Sequence, residues 1–171
     1  MGTRTRTRPD ESRKPGKITQ EGYRTLQEEA SRLWSVERPR VAEGVANAAA
    51  EGDRSENAEY VYGKIKLAGI DRKLKFLGNR LDVLTVVTEP PPDDGRVNFG
   101  CWVDLEDEEG ATSRYRIVGA DESSIERGYI SVDSPVAIAL MGRRLDDEVL
   151  VRRPKGDAYY TIVGIFVAAP G

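Results

Sequence analysis

The stretch Gly52-Asp53-Arg54-Ser55-Glu56-Asn57-Ala58-Glu59-Tyr60 decides how the rest of the chain is read. It is a short acidic turn between two long helical patterns, residues 19–51 and 55–84. Two long helices joined by a tight turn run antiparallel, so the turn is predicted to be the exposed tip of a hairpin. Asp53 and Glu56 sit there with little apolar sequence around them. Their spacing has two readings. Asp-x-x-Glu ahead of a helix is a capping box, and spacing alone favours the cap. Two carboxylates on one face also suit a hard cation such as Mg²⁺, but they are too few for a tight site made by one protein. If they act on a metal, they complete a site that belongs to another molecule.

Outward from the turn, Thr19 is a predicted N-cap with Ile18 before it as a staple residue. Tyr23, Leu26, Ala30 and Leu33 follow at helical spacing, and Val41, Val45 and Ala48 resume the seam beyond Pro39. Pro39 should bend the helix or remove one of its hydrogen bonds. Small residues, Ala48 to Ala50, make the hairpin slim near the turn. In the second helix Tyr60, Leu67, Ile70, Leu74, Leu77, Leu81 and Leu84 form a heptad seam, with Gly63 at the vacant position. Each helix is expected to run roughly 45 Å. Gly63, Gly69 and Gly78 dilute the second helix, at up to about 1 kcal/mol each relative to Ala. Lys64, Lys66, Arg72, Lys73, Lys75 and Arg80 lie off the seam. They read either as a solvated coiled-coil flank or as a contact face for an acidic partner.

The period changes after Thr88-Glu89-Pro90-Pro91-Pro92-Asp93-Asp94-Gly95, a linker at 88–95 whose three prolines forbid continuing the helix. Runs at 97–105, 114–118, 129–132, 148–152 and 159–167 have strand character, and 135–141 reads as a short helix capped by Ser134. Residues 96–171 are therefore expected to form a small α+β domain on an antiparallel sheet. The acidic stretch 104–109 reads as a solvated turn, and Cys101 as a structural strand residue. Residues 1–16 read as a disordered basic tail, with Arg4, Arg6, Arg8, Arg13 and Lys14, followed by Lys17 at the start of the hairpin domain, 17–87.

Composition removes whole classes of chemistry. The 171 residues contain no His, so His triads and the usual zinc sets are excluded. One Cys forms no internal disulfide, which fits a reducing cytoplasm. No apolar run is long enough to span a membrane, and no signal-peptide core is present. A net charge of −3 argues against a generic nucleic-acid binder.

The acidic turn, with Glu37-Arg38-Pro39, Ile70-Asp71-Arg72-Lys73, Phe99-Gly100-Cys101-Trp102-Val103, Tyr115-Arg116-Ile117-Val118-Gly119 and Tyr129-Ile130-Ser131-Val132-Asp133-Ser134-Pro135, resembles the bacterial Gre transcript-cleavage factors, nearer the GreB branch. The likeness covers about residues 17–168. It implies an antiparallel coiled coil followed by an FKBP-like domain, acting as a monomer on bacterial RNA polymerase. The coiled coil would enter the secondary channel and accelerate the polymerase's own hydrolysis of backtracked RNA. By this resemblance Asp53 and Glu56 help hold a second Mg²⁺ and orient the attacking water, so the chain is an accessory factor and not itself an enzyme. Ser55, Asn57, Glu59 and Tyr60 support the tip, with Ser55 equally readable as a cap and Tyr60 as a packing residue. Lys64, Lys66, Arg72, Lys73 and Lys75 resemble an RNA-facing stripe toward the transcript 3′ end. A channel-binding inhibitor without cleavage activity and a free-standing prolyl isomerase are the alternatives weighed. The intact acid pair argues against the first, and fold alone carries no activity for the second.

Overall fold

The computed structural model describes residues 10–52 and 56–171. The described residues divide into two compact units, one drawn from residues 10–15 and 23–84, the other of residues 16–22 and 85–171.

The first unit is a helical hairpin. α1 (Gln20–Arg32) runs into a π-helical segment (Leu33–Glu37) and then α2 (Arg38–Ala50). The returning helix is α3 (Ala58–Val83). The π turn is the structural answer to Pro39. Proline has no N–H and its ring crowds the carbonyl four residues back. One wider turn, in which the Arg38 N–H donates to the Leu33 carbonyl, shifts the register just before the proline, so the helix continues. Cross-hairpin contacts show the antiparallel sense. Val45 lies against Gly63, Arg38 pairs with Asp71, Glu29 with Lys73, and the Tyr23 hydroxyl donates to the Leu81 carbonyl. Leu33, Ile70 and Leu77 are buried, with Leu26, Ala30, Val41 and Leu74 packed around them. The predicted seam is thus the core of this unit. Arg38 and Asp71, from two of the sequence blocks singled out above, meet at 2.7 Å, and this bond raises the Arg38 pKa.

Residues 10–16 correct the expectation of a disordered tail. Glu11–Arg13 form a turn of 3-10 helix against α3, with Asp10 capping it through the Ser12 N–H. Arg80, expected off the seam on a solvated flank or a contact face, is 6% exposed. Its Nη1 donates to the carbonyls of Glu11, Ser12 and Lys14 at 3.2, 3.3 and 2.6 Å, and Asn79 donates to the Ser12 hydroxyl at 2.9 Å. Polar bonds from Arg80 to backbone and from Asn79 to the Ser12 hydroxyl hold the segment. Arg4, Arg6 and Arg8 lie outside the described residues.

In the second unit β1 (Gly16–Thr19) pairs with β2 (Leu84–Val87). These short strands stand where helix had been expected at Leu84 and tail at Gly16. Thr19 still caps α1, accepting from the Gly22 N–H at 3.0 Å. Glu122 fastens this stretch to the sheet: its carboxylate accepts from the Thr19 N–H and the Gly119 N–H at 2.9 Å each, and from the Thr19 hydroxyl. A side chain at Gly119 would collide with the Lys17 carbonyl, so the close approach requires glycine there.

The main sheet has the order β5-β4-β3-β7-β6, from β3 (Trp102–Asp107), β4 (Thr112–Val118), β5 (Tyr129–Ser131), β6 (Glu148–Val151) and β7 (Ala158–Phe166). All pairs are antiparallel except β4 with β5. Val103 and Leu105 alternate inward from β3 to meet Ile117, Val149 and Ile162. α4 (Pro135–Leu140), capped by Ser134, closes the core with Ala137 and Leu140. The expected α+β domain is therefore observed. Its first strand starts at Trp102 and not at Val97, because Gly100 at φ +89° turns the chain. Cys101 is fully buried and burial pushes its thiol pKa up, which keeps it protonated and inert.

Replacing Arg80 by Met removes the donors that hold residues 11–14. Their amide hydrogen exchange should then speed up, with a loss of about 1–3 kcal/mol in opening free energy. Unchanged protection there would show that the segment is held by something else.

Candidate functional site

The return helix α3 is capped by Asn57 and not by Glu56. Asn57 is the N-cap of α3, its Oδ1 accepting from the Tyr60 N–H at 3.1 Å. Its Nδ2 donates to the Ala48 carbonyl at 2.8 Å, tying the start of α3 to the end of α2. The Ala48 carbonyl also accepts from the Glu51 N–H at 3.3 Å. The helix expected from residue 55 starts at Ala58, so Glu56 precedes its cap; Asp53, the other half of the expected capping box, lies outside the described residues. The signal for the true cap was present in Asn57-Ala58-Glu59-Tyr60, but Asp-x-x-Glu matched the commoner pattern.

Two features bring α2 and α3 close below the turn. Ala48 is 4% exposed. Opposite Val45, a β-carbon at Gly63 would lie only 2.8 Å from the valine Cγ2. The vacant seam position is therefore filled from the other helix, and the backbones come close just below the turn.

Glu56 stands in the turn, exposed, and Glu51 and Glu59 are exposed on either side of it. Glu59 lies in the first turn of α3, where the helix N-terminus favours negative charge. Asp53 and Ser55, the other expected tip residues, lie outside the described residues. Asn57 is occupied as cap and tie, so its expected help to the tip is structural. Tyr60 is half-buried, and the Lys64 ammonium sits 5.5 Å from its ring centroid. Carboxylate oxygens are the donors a hard cation takes. Among the described residues no three acids converge into a cage.

The five cations expected to form one stripe occupy two faces of α3. At about 100° per residue, Lys66 and Lys73 fall on one line. Lys64 and Lys75 fall on another, about 160° away from Lys66, with Arg72 beside it. Lys73 bridges Glu29 at 3.4 Å. Arg72 and Lys75 are exposed. No helix among the described residues is long and apolar enough to cross a membrane.

Comparison with known proteins gives matches in both units. The model described as "Transcription elongation factor, N-terminal" matches residues 17–86, and "Transcription elongation factor, GreA/GreB, C-term" matches residues 91–166. The chain is 55% identical over 139 residues to transcription elongation factor GreB of Haemophilus influenzae, covering 81% of this chain and 88% of that protein. It is 52% identical over 161 residues to GreB of Pseudomonas aeruginosa, covering 94% and 96%. Among solved structures, GreA factor homolog 1 of Thermus thermophilus aligns over 89% of this chain and 99% of that one, at 24% identity and a TM-score of 0.42.

Asn57→Ala should loosen the first turn of α3 and cost about 1 kcal/mol, read from amide exchange at Tyr60 and Val61. Asn57→Asp keeps the cap acceptor but loses the donor to Ala48, so it should recover only part of that protection. Full protection in the alanine variant would contradict the assigned cap.

Proposed function

The chain belongs to the GreA/GreB family of transcription elongation factors, and from that premise we propose that it stimulates cleavage of backtracked RNA within bacterial RNA polymerase. The helical hairpin enters the secondary channel and presents Asp53 and Glu56 to the polymerase active centre. The polymerase supplies the catalytic scaffold and hydrolyses its own transcript. The factor is an accessory and turns nothing over alone.

The observation that carries this reading is the division of labour at the turn. Asn57 caps α3 and ties it to Ala48, while Glu56 is exposed and has no capping duty. A carboxylate kept at the end of a packed hairpin, without a structural task, is available to another molecule. Asp53 and Glu56 would together hold a Mg²⁺ shared with the polymerase, which when bound supplies Lewis-acid activation of water and charge neutralisation at phosphate. The carboxylates also accept hydrogen bonds and can orient a water for attack. Lys64, Lys66, Arg72, Lys73 and Lys75 draw the extruded RNA 3′ end by charge.

The test uses polymerase stalled in a backtracked register. Asp53→Asn and Glu56→Gln should each lower cleavage stimulation at least about tenfold while binding to polymerase is retained, since each removes a charge from the reacting site. Stimulation equal to the unchanged chain in both variants would refute the roles of these acids. Binding without any gain in cleavage by the unchanged chain would refute the function.

A further inference from the structure

One line along α3 is not accounted for by the seam or by the tip. Tyr62, Lys66, Gly69, Lys73 and Phe76 follow one another at steps of four and three residues, so they lie along one side of the helix. Tyr62 is 70% exposed and Phe76 41%. The seam residues of this helix are buried, as Ile70 and Leu77 are, or half-buried, so these two exposed aromatics do not serve the hairpin core. Gly69 leaves the middle of the line without a side chain; a β-carbon there would meet only Arg72 Nη2, at 3.8 Å. The line continues to Arg80, where the turn at Glu11–Arg13 covers it. The open portion, Tyr62 to Phe76, spans about 21 Å at 1.5 Å per residue.

The alternation selects the kind of partner. An apolar helix needs anchors at every turn, and here a lysine or a glycine interrupts each step between the aromatics. A duplex presents phosphates but no free base faces. Single-stranded nucleic acid presents both phosphate charge and flat apolar faces, and aromatic residues interleaved with cations are its usual receptor. Lys66 is exposed; Lys73 is shared with Glu29, which makes Lys66 the stronger phosphate contact.

We propose that this line is a stacking track for single-stranded RNA, in which Tyr62 and Phe76 take base faces and Lys66 takes phosphate. It rests on the reading of the chain as a factor that meets extruded RNA. It lies on a different face of α3 from Lys64 and Lys75.

The test is anisotropy of a labelled single-stranded oligouridylate of about a dozen nucleotides, titrated with the full chain over a range of salt. Tyr62→Leu should weaken binding at least about fivefold and Tyr62→Trp should restore it, because stacking needs an aromatic plane. Phe76→Leu should weaken it similarly. Lys66→Gln should flatten the salt dependence by roughly 0.7 of a slope unit. The proposal is overturned if Tyr62→Leu binds like the unchanged chain, if a duplex of equal length competes equally well, or if the unchanged chain shows no binding up to millimolar protein. The assay contains no polymerase. It can therefore fail while the Asp53 and Glu56 variants still lose cleavage, or succeed when they do not.

Discussion

The structure of the first unit depends on one constraint: two helices must pack closely up to the turn that joins them. Leucine and isoleucine fill the seam along most of its length. Near the turn the packing changes to Val45 against Gly63 and to the buried Ala48. The Asn57 amide then closes the end, donating across to the Ala48 carbonyl and accepting from α3. Apolar contact and the Asn57 amide thus hold the helix ends together, and Glu56 lies outside the cap. A carboxylate used as a cap is committed to an N–H; one that is not committed can serve a cation or a water on another molecule.

Charge is arranged differently along the hairpin. Arg38–Asp71 and Lys73–Glu29 lie on opposite flanks of the seam and join the two strands of the hairpin. Both pairs are substantially exposed, so each contributes little to stability, on the order of 1 kcal/mol or less. Their effect is on register, because like charges facing one another would oppose any slip. Arg80 is another case. It is buried, and its donors are matched to backbone carbonyls that a sheet or helix would otherwise satisfy. Removing it would leave those acceptors without their bond, whereas removing Arg38 would leave Asp71 to water.

The hairpin was legible because helical periodicity is a repeated signal: six seam positions in α3, from Tyr60 to Leu81, agree on one face. The short helix α4 was legible through Ser134 and Pro135. The cap was misplaced because Asp53, Ser55 and Asn57 all have capping side chains within five residues, and only the geometry of the chain chooses among them. The ordered segment at 10–16 was not legible. It has almost no apolar residue, and what holds it is a set of bonds from Arg80 to main-chain oxygens, which leave no pattern in sequence. β1 and β2, at four residues each, are too short to show alternation, and Leu84 fits a helix seam and a strand equally. The cations of α3 resemble a single stripe in sequence, but the 3.6-residue turn separates the direction of Lys64 from that of Lys66.

The turn acids, as proposed above, complete a metal site owned by another molecule. The most direct measurement is the Mg²⁺ dependence of transcript cleavage in backtracked complexes, with the unchanged chain and with Glu56→Gln at saturating factor. The account predicts that the variant needs a higher Mg²⁺ concentration to reach half its maximal rate. Superimposable Mg²⁺ curves, differing in neither midpoint nor height, would contradict it.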